Sequence, residues 1–224
     1  MFHVTSACYE LGLRAAAILH RDVIVGPTTG EFRTEVQRAA AQIEARFQGR
    51  AEIRQLPEVA QLYGILRQVG VKPRRHPPSN QKLLEYGLKH GTLPAINNLV
   101  DAYNLVSVLT RCSLGAHDAA TISLPVELRI LSGEESFRPL GSPLPQAVVA
   151  GEFGYVDSDQ QLLCRLDSLQ ADFSKVTESS RDVLVIVEAT TAISEEAHRA
   201  AVELTRETIQ AECGGTAEVT WGSM

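Results

Sequence analysis

Between residues 97 and 118 an otherwise apolar stretch gathers Asn97, Asn98, Asp101, Asn104, Ser107, His117 and Asp118. Amides, carboxylates and an imidazole can hold a water, move a proton and stabilise developing charge without a metal. In the run AINNLVDAYNLVSVLTRCSLGAHD, a 3.6-residue period brings Asn97, Asp101 and Asn104 to one side of a helix. Ser107 and Arg111 continue that line, while Leu99, Val100, Tyr103, Val106, Val108 and Leu109 cover most of the remaining circumference. A helix face meant only for water usually carries Lys and Glu; this stripe carries short groups that are poor helix formers. Two readings are open. The stripe lines a pocket and holds a small polar ligand or a water, or the same groups tie the helix to neighbouring loops and satisfy their backbone. His117 and Asp118, just past the helix, extend either one.

The familiar chemical motifs are missing. There is no G-x-G-x-x-G after a strand, no G-x-x-x-x-G-K-S/T, no H-E-x-x-H and no G-x-S-x-G. Dehydrogenase, P-loop hydrolase, zincin and α/β-hydrolase readings all lose support. His3, His20, His76, His90, His117 and His198 show no metal-ligand spacing, and Cys8, Cys112, Cys164 and Cys213 form no Cys-x-x-Cys pair. Neither metal nor cofactor is expected.

The elements that must position the stripe follow from periodicity. Residues 31–48 form an amphipathic helix with Phe32, Val36, Ala39, Ala40, Ile43 and Phe47 on one face. A second helix spans 57–69 and stops at Gly70. Pro73, Pro77 and Pro78 keep VKPRRHPPS irregular, and Ser79 is placed to cap the helix SNQKLLEYGLKHG. The polar-striped helix follows, from about 96 to 111. LGLRAAAILHRDVIVG reads as one or two strands, and VELRIL, FGYVD, QLLCRL and DVLVIVEA are short β-type runs. A closing helix runs from a capping Ser194 to Gly214, and AEVTW is a final short strand. Helices, then strands, then a helix indicate α+β, with no linker to divide 1–224 into more than one domain.

With 44% hydrophobic and 21% charged residues, a sizeable core is available. No run is long enough for a membrane helix, and MFHVTSACYELGLR lacks the features of a signal peptide, so a cytoplasmic location is expected. The net charge of −6 is uneven: residues 72–90 carry Lys72, Arg74, Arg75, Lys82 and Lys89 against Glu85, a local +4 that leaves −10 elsewhere. Such a patch suits either a solvated loop or a phosphate-bearing partner gripped at one place.

LPAINNLVDAYNLVSV, SLGAHDAATI and VELRILSGEESFRPLGS, in that order, resemble the tRNA-binding and editing domain of the phenylalanyl-tRNA synthetase β subunit. That domain is built from the third and fourth modules of the subunit. Free-standing relatives of it are more similar still. They share a G-x-x-P segment (Gly70 to Pro73), Ser79, LP-x-I-N-x-x-VD-x-x-N (Leu93 to Asn104), Asp118, and Leu128 with Arg129. G-E-E-x-F-x-P-L-G (Gly133 to Gly141), GE-x-x-Y-x-D (Gly151 to Asp157), and S-x-V-T followed by a strand ending at Glu188 complete the series. The resemblance covers about residues 57–190. Each motif alone is unspecific; their order and spacing are not.

The resemblance implies a single α+β domain with a β-sandwich-like core flanked by helices. It implies hydrolysis of the ester of a mischarged tRNA acting in trans, or at the least tRNA binding. Editing of this kind meets a physical need, because one pocket discriminates poorly between similar side chains. By the same resemblance Asn104 would donate to the ester oxygen or hold the water, and His117 would orient that water or act as base. Glu188 or Asp101 would recognise the amino group or a polar side chain, with Asn97 and Tyr103 beside them on the substrate. Lys72, Arg74, Arg75 and Lys82 would hold phosphates at the tRNA acceptor end. Two positions depart from the family: the synthetase's active-site His falls on Gly115, two residues before His117, and its pocket Thr falls on Tyr103. A non-catalytic module that binds tRNA or an amino acid is the other function these residues allow.

Overall fold

In LRAAAILHR small and large apolar residues fill both sides of one strand. Ala15, Ala17 and Leu19 belong to one core and Ala16 and Ile18 to another. The computed structural model describes residues 1–222 and builds two layers around this strand. In chain order the elements are β1 (Phe2–Val4), α1 (Ser6–Glu10), β2 (Leu13–Arg21), α2 (Gly30–Arg46), α3 (Arg50–Arg54) and α4 (Pro57–Gln68). They continue with α5 (Ser79–His90), α6 (Asn98–Thr110), β3 (Ser113–Asp118), β4 (Val126–Ile130), β5 (Phe153–Val156) and β6 (Leu162–Arg165). The last are β7 (Leu169–Gln170), β8 (Val183–Thr190), α7 (Glu195–Cys213) and β9 (Thr216–Trp221).

A four-stranded sheet in the order β3-β8-β2-β9 packs on a five-stranded sheet in the order β1-β4-β5-β6-β7. The first is antiparallel throughout; the second is antiparallel except for the parallel β1–β4 pair. Between the sheets lie Phe2, Leu13, Leu19, Leu128, Phe153, Leu184 and Ile186. On the other face of the four-stranded sheet, Val183, Val185 and Val187 meet apolar faces of α2, α5, α6 and α7. Both faces of β8 are therefore buried, which is why VLVIVEAT is an almost unbroken apolar run. The architecture is the expected α+β domain with a β-sandwich core and flanking helices.

Three local outcomes differ from the sequence reading. Ser79 is the first residue of α5 rather than its cap, and the freed Ser79 N–H donates to the distant Asp167 carboxylate at 2.9 Å. β1, α1 and α3 are too short to show a period. SLGAHD, with its small residues, carries no strand signal, yet it is β3, held by a complete ladder to β8.

Candidate active site

A cavity of about 200 Å³ opens where the two sheets meet the start of α5 and the middle of α6. One wall is a single face of β3 and β8. Ser113, Gly115 and His117 alternate along β3 and pair with Glu188, Ile186 and Leu184 on β8. A period of two puts all six on the same side of the sheet, and all except Leu184 line the cavity. Tyr155 of β5 and Cys164 of β6 come from the second sheet, and Asp167, Ser168 and Gln170 from the turn and strand after β6. Tyr103 and Asn104 of α6 and Ser79 of α5 complete the lining.

Two buried carboxyl groups dominate the electrostatics. Glu188 accepts a short hydrogen bond from the Tyr155 hydroxyl, while its Oε1 has no partner among the described residues. Burial, and then the charge of Asp167, push the Glu188 carboxyl well above its ordinary range. Asp167 Oδ2 accepts from the Ser79 N–H at 2.9 Å and the Ser113 hydroxyl at 3.0 Å, and its Oδ1 is again without a partner. Burial raises the Asp167 carboxyl as well.

His117 is fixed from one side. Its Nδ1 lies 2.9 Å from the Ser174 hydroxyl, leaving Nε2 as the ring nitrogen without a partner among the described residues. Burial lowers its pKa to about 4, so the ring is neutral near pH 7. In the tautomer whose Nδ1–H donates to Ser174, Nε2 is an acceptor. Burial also raises the Cys164 thiol and the Tyr103 phenol, which leaves both protonated.

The polar stripe of α6 divides between the two readings. Asn97 caps the helix, its Oδ1 accepting from the Val100 N–H at 2.9 Å. Asp101 accepts from the Ile96 N–H at 2.9 Å and from the Thr28 hydroxyl. Asn98 uses all its capacity: it accepts from Gly26 and Leu99 N–H and donates to the Ile24 and Glu212 carbonyls, each at 2.9–3.0 Å. Ser107 donates to the Cys112 carbonyl at 2.8 Å. Asn97 is thus occupied by backbone, Asp101 by backbone and the Thr28 hydroxyl, and both lie outside the cavity lining, whereas the Asn104 side chain makes no hydrogen bond among the described residues. Asn104 and Tyr103 also border an adjoining groove of about 280 Å³ with Lys82, Tyr86 and Ile96. Asn104 therefore sits at the seam between two depressions.

The basic residues divide between two depressions. Lys82 donates to the Ser168 carbonyl at 3.3 Å beside the cavity. Lys72, Arg74 and Arg75 line a separate open depression with Arg67. Sequence reasoning missed Ser113, Asp167 and Gln170 as cavity residues. Tyr155 stood inside the GE-x-x-Y-x-D motif, but Asp167 is a lone acid after Leu166, whose φ is 57°, and nothing in its neighbours marks it. Several other motif residues hold loops. Glu135 accepts from Ser132 and Gly133 N–H, Asp157 from Ser123, Asp159 and Gln161 N–H, and Glu152 pairs with Arg165.

The site thus belongs to a two-sheet α+β domain with an acid-bearing cavity opening beside a groove. Residues 64–208, well over half of the chain, match the family model described as the B3/4 domain, and the chain belongs to that family. It is a relative of the corresponding domain of the phenylalanyl-tRNA synthetase β subunit. Among solved structures, an N-terminal fragment of the phenylalanyl-tRNA synthetase β subunit from Pyrococcus horikoshii is similar, at 12% identity and a TM-score of 0.49. The match covers 97% of this chain and 50% of that one, so the chain spans about half the length of the fragment. No curated protein matches. Among the described residues, no helix is long and apolar enough to cross a membrane.

Proposed function

We propose that the chain hydrolyses the ester of a mischarged tRNA, with the aminoacyl group in the cavity and the tRNA end in the adjoining groove. The observation that carries this reading is the free Asn104 amide at the seam between the two, on a cavity it shares with His117. A volume of about 200 Å³ is below the roughly 300–1,000 Å³ of sites for drug-sized ligands and suits an amino-acid-sized group. An aminoacyl ester is already activated, so a positioned water and one donor to the developing oxyanion suffice. The water oxygen bonds to the carbonyl carbon, Asn104 donates to the oxyanion, and the bond to the ribose oxygen breaks. The ribose oxygen leaves with the proton the water gives up. Lys82 beside the cavity, and Lys72, Arg74 and Arg75 further away, supply phosphate contacts that position the tRNA.

Deacylation of a panel of mischarged tRNAs tests the proposal. Turnover of at least one, slowed roughly 10²–10³-fold in Asn104→Ala, is the expected result. No turnover on any member sinks it.

The low pKa of His117 favours one other reading, since a ring at about 4 is a weak base. A module that binds charged tRNA without cleaving it would show saturable, salt-sensitive binding and no turnover in the same panel.

A further inference from the structure

We propose that the cavity selects an amino acid whose carboxyl is esterified over the same amino acid in free form, through the paired carboxyl groups of Glu188 and Asp167. This rests on the aminoacyl-ester reading of the site and deepens it. Glu188 is 3% exposed and Asp167 8%, and each keeps one oxygen, Oε1 and Oδ1, without a partner among the described residues. Buried acceptors without donors are rare, and a ligand ammonium brings three donors.

Neither Lys nor Arg is among the residues lining the cavity. The Lys82 ammonium is engaged at the Ser168 carbonyl, 3.3 Å away, and lines the adjoining groove instead. The His117 ring is neutral. A free amino acid carries an ammonium and a carboxylate; an aminoacyl ester carries the ammonium alone. The ester's ammonium finds an unpartnered oxygen on each acid and favours their ionised forms, whereas a free carboxylate opposes that ionisation, and the one cation that acts on Asp167, Lys82, is outside the lining and already engaged at Ser168. Selection of this kind works by repulsion as much as by attraction. It also acts on the product, because hydrolysis creates the carboxylate that the cavity disfavours.

Titration calorimetry of the protein near neutral pH, with L-amino acid amides and the matching free L-amino acids, tests the proposal. The amide has the ammonium without the carboxylate, as the ester does, and is not consumed. At least one amide should bind, about tenfold or more tighter than its free acid. Glu188→Gln and Asp167→Asn should each shrink that ratio toward one. Asp167 also holds the start of α5, so Glu188→Gln decides the matter if the other variant does not fold. Equal binding of acid and amide, no binding of any amide, or an unchanged ratio in Glu188→Gln overturns the proposal. The deacylation panel separates the two ideas. Turnover with equal binding keeps ester hydrolysis and removes the selection; amide preference without turnover keeps the selection and removes the hydrolysis.

Discussion

Ser113 and Glu188 face each other across the β3–β8 ladder, yet the Ser113 hydroxyl donates to Asp167, 3.0 Å away. Glu188 takes its hydrogen bond from Tyr155 of the opposite sheet instead. Each acid is thus held across the gap between the sheets, and the two meet in one cavity because their partners are exchanged. The site depends on how the sheets pack as much as on any single strand.

Asn98 and Asn104 lie six residues apart on α6 and should respond oppositely to removal. Asn98→Ala loses four hydrogen bonds and leaves buried backbone groups unpaired, at a cost of about 2–4 kcal/mol. Asn104→Ala should leave stability within about 0.5 kcal/mol and slow deacylation by roughly 10²–10³-fold. Denaturant unfolding and single-turnover rates on the same preparations check both halves. Strong destabilisation by Asn104→Ala would return that residue to a structural role.

Ser174 touches His117 and not the cavity. Ser174→Ala should cost about tenfold in rate by freeing the ring, and His117→Ala about a hundredfold or more. If Ser174 acts only through the ring, the double variant should be no slower than His117→Ala. Additive losses would contradict that arrangement.

The buried rings and buried acids pull stability in opposite directions with pH. Burial lowers the pKa of His20 and His117 to about 4 and lowers His198 too, whereas unfolded rings titrate near 6.5. The unfolded chain binds more protons within that window. Stability should therefore fall as pH drops from about 6.5 to 4, by up to about 3 kcal/mol each for His20 and His117. Glu188 and Asp167 are raised, so their contribution is full below the unfolded carboxyl range and is lost as pH rises through their folded values. Denaturant midpoints between pH 4 and 8 should show His20→Phe flattening the acid limb and Glu188→Gln flattening the alkaline one. Both nitrogens of His20 lack partners among the described residues, so a ring without them is tolerated there. An acid limb unchanged in His20→Phe would show that other groups set it.

Gly115 leaves room in the cavity, since a Cβ there would meet nothing within 4 Å. Gly115→Ala should stabilise β3 by about 0.5–1 kcal/mol, because a strand glycine costs backbone entropy. It should also shift the deacylation panel toward smaller side chains. An unaltered preference would mean that the aminoacyl group does not reach this wall.

Much of the scaffold was legible because periodicity survives wherever one face is wet. α2, α4, α5 and α7 carry that pattern, and each lies within a residue or two of its expected bounds. β3 was not legible: Ser, Gly and Ala have little preference for a strand, and only the ladder to β8 makes SLGAHD one. The stripe on α6 was visible, but its allocation was not. Asn97 is spent on the first turn of its own helix, Asp101 and Ser107 on backbone groups of the loops before and after it, and Asn98 and Asp101 also on groups of the distant residues 24–28. No spacing rule reveals those meetings. Asp167 was invisible for the same reason, since both of its donors, Ser79 and Ser113, lie more than fifty residues away in the chain.

The alternation along β3 has an evolutionary consequence. Gly115 and His117 look into the same space because side chains on a strand repeat every second residue, about 7 Å apart. A functional imidazole can therefore change its address by two positions without changing sides and without disturbing the register of a single backbone pair. Each such step also vacates a place, and the vacated place becomes volume for a new ligand. Diversification along this strand needs only two substitutions, neither of which asks the fold to move.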